Sequence, residues 1–354
     1  MPKPPSDHNK TSLGPSPVLT NGEEDILVQW FIENAQKGFP RRKEDLQISV
    51  KHFLDKNPRK NPFKNNLPNE GWYKAFLRRH PEIATRTSES VTLSSANVTE
   101  KDIKKWFENI ETYLKTKSYF DILSDPTRIQ NGDETCFNLC PKNTKVLAPV
   151  GCKNVYEVEH ASSKYNITVM FTMSAADLLT PPMVIFPGKR LRGDIANSMP
   201  PEWGIGVTEN GLMKADAFQD YIFKVLHPSL KQNGIKFPVI LFIDGHSSHV
   251  TLELSNVCKE LEIILICLYP NATRILQPAD VAAFKPIKTG WKQALVAWRR
   301  ENLNETLTKD KFAPILKKVV ENFGKESTIK NGFRATGLYP FNPNAIDFEK
   351  KFRS

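Results

Sequence analysis

The chain has 354 residues and a net charge of +10, long enough for two domains with a sizeable core and basic enough to suit a polyanionic partner. Its longest apolar runs, VILFI and IILICLY, fall far short of the roughly 18–20 residues a membrane span needs, and the polar start MPKPPSDHNKTSLGPSPVLTNG is unlike a secretory signal, so no membrane association is expected. The five cysteines (Cys136, Cys140, Cys152, Cys258, Cys267) form no CxxC pair, a pattern of reduced core thiols rather than of disulfides or a zinc ribbon.

Residues 1–22 read as a disordered N-terminal segment. Three helical signals then fill 23–85. EEDILVQWFIENAQKG has acidic residues in its first turn, Ile26, Leu27, Trp30 and Phe31 at helical spacing, and Gly38 as a stop. RRKEDLQISVKHFLDKN places Leu46, Val50, Phe53 and Leu54 on one face. EGWYKAFLRRH sets Trp72 and Phe76 toward a core, leaves Lys74, Arg78, Arg79 and His80 outside, and meets Pro81 at its end. The charge gathers here: from Gln36 to His80 there are twelve Lys/Arg against four Asp/Glu, eight of the ten excess positive charges. Three short helices with a basic third one predict a helix-turn-helix unit whose third helix enters the major groove of DNA. The candidate contacts are Arg41, Arg42, Lys43, Lys64, Lys74, Arg78, Arg79 and His80. A bundle that binds protein through the same surface is the alternative.

Residues 86–120 read as a linker and a lead-in helix. Thr99 and Asp102 resemble a capping box, and Ile103, Trp106, Phe107, Ile110 and Leu114 form one apolar stripe. From about Arg128 the pattern becomes α/β. RIQNGDETCFNL, YNITVMFTMSA, PPMVIFPG, FPVILFID and EIILICLYP read as strands, and KADAFQDYIFKVLHPSL, TLELSNVCKEL and PADVAAFKPIKTGWKQALVAWRREN as helices. That order predicts a mixed sheet with an early antiparallel meander. The basic segment LKKVVENFGKESTIKNGFR reads as a solvated helix and turn, with Arg334 able to meet a DNA backbone.

Three aspartates stand out. Asp133 interrupts the first strand, Asp244 ends the strand VILFI, and Asp280 lies in the first turn of a long amphipathic helix. Singly, each has an ordinary use at a surface, a turn cap or a helix N-terminus. Together they match a chemical need: work at a phosphodiester asks for a hydroxide-like nucleophile and for neutralised charge on the leaving oxygen. Two divalent cations ~3.5–4 Å apart supply both. Oxygen ligands of this kind suit Mg²⁺ or Mn²⁺ rather than zinc.

IQNGDETCFNL, LFIDGHSSHV, LYPNATRILQPADVAAFKPIK and GFRATGLYPFNP resemble successive blocks of the DDE-type superfamily endonuclease domain of pogo and Tigger-like transposases, jerky-like proteins and centromere protein B. GWYKAFLRRHPEI is similar to the centromere protein B-type helix-turn-helix of the same proteins. The resemblance implies an RNase H-like mixed sheet flanked by helices over 121–345, a tail at 346–354, and a small all-α helix-turn-helix domain ahead of them. It implies Asp133, Asp244 and Asp280 as catalytic ligands of two Mg²⁺ or Mn²⁺ ions, with Asp133 bridging both. Double-stranded DNA as partner, a homo-oligomer on DNA and a nuclear location follow from the same resemblance. Ala279 stands where the family usually has Leu. Full-length members carry a further helix-turn-helix upstream, so half of the DNA-binding unit is expected to be missing. A transposase or endonuclease and a catalytically idle chromatin protein both remain open.

The neighbours of the aspartates have milder readings. Glu134 points to the opposite strand face from Asp133 and is taken as structural. His246 and His249 lie in a loop without a Cys/His partner set, so His249 is an accessory candidate that hydrogen-bonds near the carboxylates. Ser247 and Ser248 lack the Gly-x-Ser-x-Gly elbow of a hydrolase nucleophile.

Overall fold

The computed structural model describes residues 17–39, 41–85, 98–139, 166–245, 251–302, 305–323 and 327–349. Two compact units result, residues 1–33 with 41–86 and residues 34–40 with 87–354.

The first unit is built on α1 (Asn21–Gln36), α2 (Lys43–Lys56) and α3 (Glu70–Arg79). At the start of α2 the Arg42 N–H donates to Asp45 Oδ2 at 2.7 Å, and at the start of α3 the Trp72 N–H donates to Asn69 Oδ1 at 2.9 Å. Each bond satisfies a backbone N–H near a helix start: an N3 carboxylate reaching back to the residue ahead of α2, and a side-chain cap on α3. Leu46, Val50 and Leu54 of α2 are buried as their spacing predicts. Phe76 of α3 is fully buried and stacks on Trp72 at 5.2 Å. The buried stripe of α1 is rotated from the expected one. Leu27, Val28 and Trp30 are buried, Ile26 is 56% exposed, and Glu24 takes a core position at 2% exposure.

The second unit opens with α4 (Glu100–Thr116), capped by reciprocal bonds between Thr99 and Asp102 and burying Ile103, Trp106, Phe107, Ile110 and Leu114. Then come β1 (Ile129–Asn138), β2 (Asn166–Ser174), β3 (Met183–Pro187), α5 (Gly193–Asn197) and β4 (Gly204–Thr208). Next are α6 (Ala215–Tyr221) and α7 (His227–Gln232), joined by a π turn, followed by β5 (Val239–Ile243), α8 (Leu252–Glu260) and β6 (Ile263–Cys267). The chain closes with α9 (Thr273–Leu276), a second π turn (Ala279–Ala283), α10 (Phe284–Glu301), α11 (Lys309–Phe323) and α12 (Thr328–Ala335).

The six strands run in the order β4-β3-β2-β1-β5-β6. β1, β2 and β3 form an antiparallel meander, and β5 and then β6 add in parallel on the other side of β1. This is an RNase H-like topology, extended by β4 in parallel with β3. Only β4 was not legible as a strand, because GIGVT has two glycines in five residues, and glycine weakens a strand signal.

Both faces of the sheet are covered. Ile240 and Phe242 of β5 enter a core with Trp106, Phe171 and Phe284, while Val239, Leu241 and Ile243 enter a second core with Tyr221, Leu226 and Leu254. A strand buried on both sides is a continuous apolar run, as VILFI is. The closing segment is more deeply used than its charges suggest: α11 buries Leu316 and Val319, α12 buries Ile329 and Phe333, and Ile346 beyond them is 5% exposed. Gly337 follows α12 at φ +68°, where an added Cβ would sit 2.4 Å from the Asn342 carbonyl oxygen. Of the described cysteines, Cys258 and Cys267 are core thiols, whereas Cys136 on β1 is exposed.

Candidate active site

Asp133 and Asp244 are brought together by strand register. β1 and β5 pair in parallel as Ile129↔Ile240, Gln130↔Leu241 and Asn131↔Phe242, a constant offset of 111. Continuing that offset by two residues gives Asp133 and Asp244 (244 − 133 = 111). Asp244 stands just past the carboxyl end of β5, where open α/β sheets place their chemistry. Asp280 arrives from a third element, the π turn that leads into α10.

A buried polar knot links the three elements. Asn131, fully buried, donates through Nδ2 to the Phe242 carbonyl at 3.1 Å and to Gln277 Oε1 at 2.6 Å, and its Oδ1 accepts the Ala279 N–H at 3.1 Å. Gln277, also fully buried, donates through Nε2 to the Gly132 carbonyl at 3.3 Å. Ala279 is 0% exposed, so its small side chain lets the backbone reach Asn131.

The electrostatics follow from this crowding. Burial pushes the half-buried Asp133 carboxyl up to about 8, helped by the charges of Asp280 and Asp244 and opposed by hydrogen bonds from Gln277 and the Glu134 N–H. Partial burial also raises Asp280, with Lys288 pulling it down and Asp244 pushing it up. Glu134, across the strand from Asp133, is pushed up to about 7 by burial and then by Asp244. Sequence reading left Glu134 structural, but its carboxyl lies within the field of Asp244. It also passed over Asn131, where a polar side chain inside a core strand was the available signal, and Gln277, which lies between α9 and the π turn.

The donor chemistry fits a pair of hard divalent cations. The charges of Asp280 and Asp244 oppose ionisation of Asp133, that of Asp244 opposes ionisation of Asp280, and a cation would relieve this repulsion. Among the described residues, no three acidic, imidazole or thiol groups are gathered closely enough to ligate one ion. His249, with His246, Ser247 and Ser248, lies outside the described residues.

In the first unit the predicted DNA contacts divide into two groups. Arg42, Lys64, Lys74 and Arg78 are exposed. Lys43 is paired with Glu70 and lies over the Tyr73 ring at 5.6 Å, and Arg41 lies over Trp30 at 5.5 Å. His80 is a correction to the expectation that it points outward, and Arg79, although exposed as expected, has its guanidinium tied to a buried partner. Arg79 donates to the buried Glu24 through Nε at 2.9 Å and Nη2 at 2.6 Å, and His80, 8% exposed, lies 2.8 Å from the same carboxylate through Nε2. Glu23 beside it is held by Arg59 at 2.8 Å. The acidic first turn of α1 is thus anchored by tertiary partners as well as by the helix dipole.

Comparisons with known proteins give two family matches: residues 164–333 to the DDE superfamily endonuclease and residues 20–87 to the Tc5 transposase DNA-binding domain. Asp244 and Asp280 fall inside the first match, and Asp133 lies upstream of it. A curated relative from Cochliobolus lunatus, named MFS-type transporter clz9, is 26% identical over 238 residues, covering 66% of this chain. The chain spans about a quarter of that relative's length (25%). Among the described residues of this chain, no helix is long and apolar enough to cross a membrane. Among solved structures, the Mos1 strand transfer complex is 15% identical, with 86% of this chain and 78% of that one covered and a TM-score of 0.44. The Mos1 mariner paired end complex with Mn is 14% identical, with 83% and 75% covered and a TM-score of 0.42. By these matches, residues 164–333 are similar to the DDE superfamily endonuclease domain and residues 20–87 to the Tc5 transposase DNA-binding domain.

Proposed function

We propose that the protein is a transposon-derived, metal-dependent DNA endonuclease or transposase. In this reading a water or a DNA 3′-hydroxyl attacks a phosphodiester held at Asp133, Asp244 and Asp280. The observations that support the proposal are the strand register, whose offset extends to Asp133 and Asp244, and the Asn131 hydrogen bonds that tie β5 and the turn before Asp280 to β1. Asp133, Asp244 and Asp280 would hold the Mg²⁺ or Mn²⁺ ions. Once bound, the cations supply the activated nucleophile and offset charge on the leaving oxygen. Burial holds the Asp133 carboxyl up, so it would have to lose a proton to hold a cation.

Arg42, Lys64, Lys74 and Arg78 are the groups available to DNA phosphates, with α3 in the major groove. A DNA substrate places the protein's work in the nucleus, and cutting paired ends calls for more than one copy on the DNA. The experiment is nicking of supercoiled plasmid by the purified chain with Mg²⁺ or Mn²⁺, with Asp244→Asn as control. Metal-dependent nicking lost in Asp244→Asn supports the enzyme. Equal nicking in both proteins overturns it, and DNA binding without nicking in either assigns the chain to the catalytically idle chromatin class.

A further inference from the structure

The side chain of Asn131 touches all three elements that carry the carboxylates. It sits two residues before Asp133. Its Nδ2 holds the carbonyl of Phe242, two residues before Asp244, and its Oδ1 holds the N–H of Ala279, one residue before Asp280. Its second donor bond goes to Gln277, which in turn bonds the Gly132 carbonyl next to Asp133. Both amides are fully buried.

The partners leave Asn131 a single orientation. Exchanging its oxygen and nitrogen would set an NH2 against the Ala279 N–H and a carbonyl against the Phe242 carbonyl and Gln277 Oε1. A buried amide left unpaired is costly, so the knot forms complete or the three elements move apart.

We propose that Asn131 and Gln277 are the positioning residues of the carboxylate site, holding β1, β5 and the turn at Ala279 in the one register that lets Asp133, Asp244 and Asp280 share their cations. The proposal rests on the metal-dependent reading of the site. It separates positioning from plain core stabilisation, because a pair that only stabilised the core would change the unfolding temperature and leave cation affinity alone.

The test uses the full chain with Gln277→Met, close in length and volume but without the amide, and Gln277→Glu, which keeps the acceptor for Asn131 and removes the donor to Gly132. Mn²⁺ affinity is measured by calorimetry without DNA, thermal unfolding without metal, and nicking kcat and KM with DNA. The expected result is a 10–100-fold loss of Mn²⁺ affinity in both variants, the size typical for residues that orient metal ligands, with kcat reduced and KM for DNA unchanged. Gln277→Glu is the sharper arm and stands even where Gln277→Met fails to fold. Its added negative charge would by itself tighten cation binding, so weaker binding reports lost positioning. Unchanged or tighter Mn²⁺ binding in folded Gln277→Glu overturns the positioning role alone. A wild-type chain that binds no Mn²⁺ overturns the metal-dependent reading with it.

Discussion

Asp133 and Asp244 lie 111 positions apart in the sequence, the same offset that relates every paired residue of β1 and β5. Their proximity is therefore a property of the sheet register, fixed by the apolar packing of VILFI on both faces. A one-residue slip between the strands would turn the β5 side chains to the wrong core as well as separate the aspartates.

The Asp133 carboxyl makes metal-free stability pH-dependent. In the folded protein it holds its proton up to about 8, whereas the ordinary value is 3.8, so between these limits the folded state binds more protons than the unfolded one. Its contribution is fully present below the unfolded value and is lost as pH rises through the folded one, at up to roughly 1.4 kcal/mol per pH unit. Urea unfolding in chelator should show stability falling from pH 5.5 to 8, and Asp133→Asn should flatten that slope. A metal-free stability that rises across this window would contradict the assignment.

Glu134 shares that sign, with its own carboxyl pushed up to about 7. Glu134→Gln should leave stability nearly unchanged near pH 4 and raise it near pH 8, because the amide imitates the neutral acid that the folded state prefers. Its side chain points across the strand from Asp133, so metal-dependent nicking should persist in the variant. Loss of nicking would place Glu134 among the catalytic carboxylates.

The arginines at the end of α3 should behave differently from each other. Arg78 is exposed, so Arg78→Ala should weaken DNA binding, lower its salt slope by about 1 and leave stability alone. Arg79→Ala removes two hydrogen bonds from the buried Glu24 and should cost about 1–3 kcal/mol in urea unfolding. Titrating duplex DNA over a salt series, alongside unfolding, separates the two. Equal effects on both readouts would show that Arg79 also meets phosphate.

Gly337 explains one glycine of the closing block GFRATGLYPFNP. Its φ of +68° and the 2.4 Å approach of the Asn342 carbonyl oxygen leave no room for a methyl group. Gly337→Ala should destabilise the chain by roughly 3 kcal/mol or more in chemical unfolding. A change below about 1 kcal/mol would show that the turn relaxes freely.

The strands other than β4 and the lead-in helix were legible because each is written in a short local pattern, an apolar run or a helical stripe. What was not legible depends on partners distant in sequence. Glu24 looked like an ordinary acid of a first helical turn until α3 returned Arg79 and His80 to it from 55 and 56 positions away. Asn131 and Gln277 are 146 positions apart and become a pair only in the folded sheet. β4 escaped because its glycines carry little strand signal, and α11, read as a solvated helix, packs on the core through an apolar face that its lysines masked.

The central claim, that three carboxylates from three elements form one metal-dependent site, is tested most directly by nicking of supercoiled plasmid across a Mg²⁺ titration. The wild type is compared with Asp133→Asn, Asp244→Asn and Asp280→Asn, each shown to bind duplex DNA as the wild type does. The account predicts nicking that needs Mg²⁺ and is lost in all three variants. Nicking that persists at wild-type rate in any one of them, or that proceeds in chelator, would contradict it.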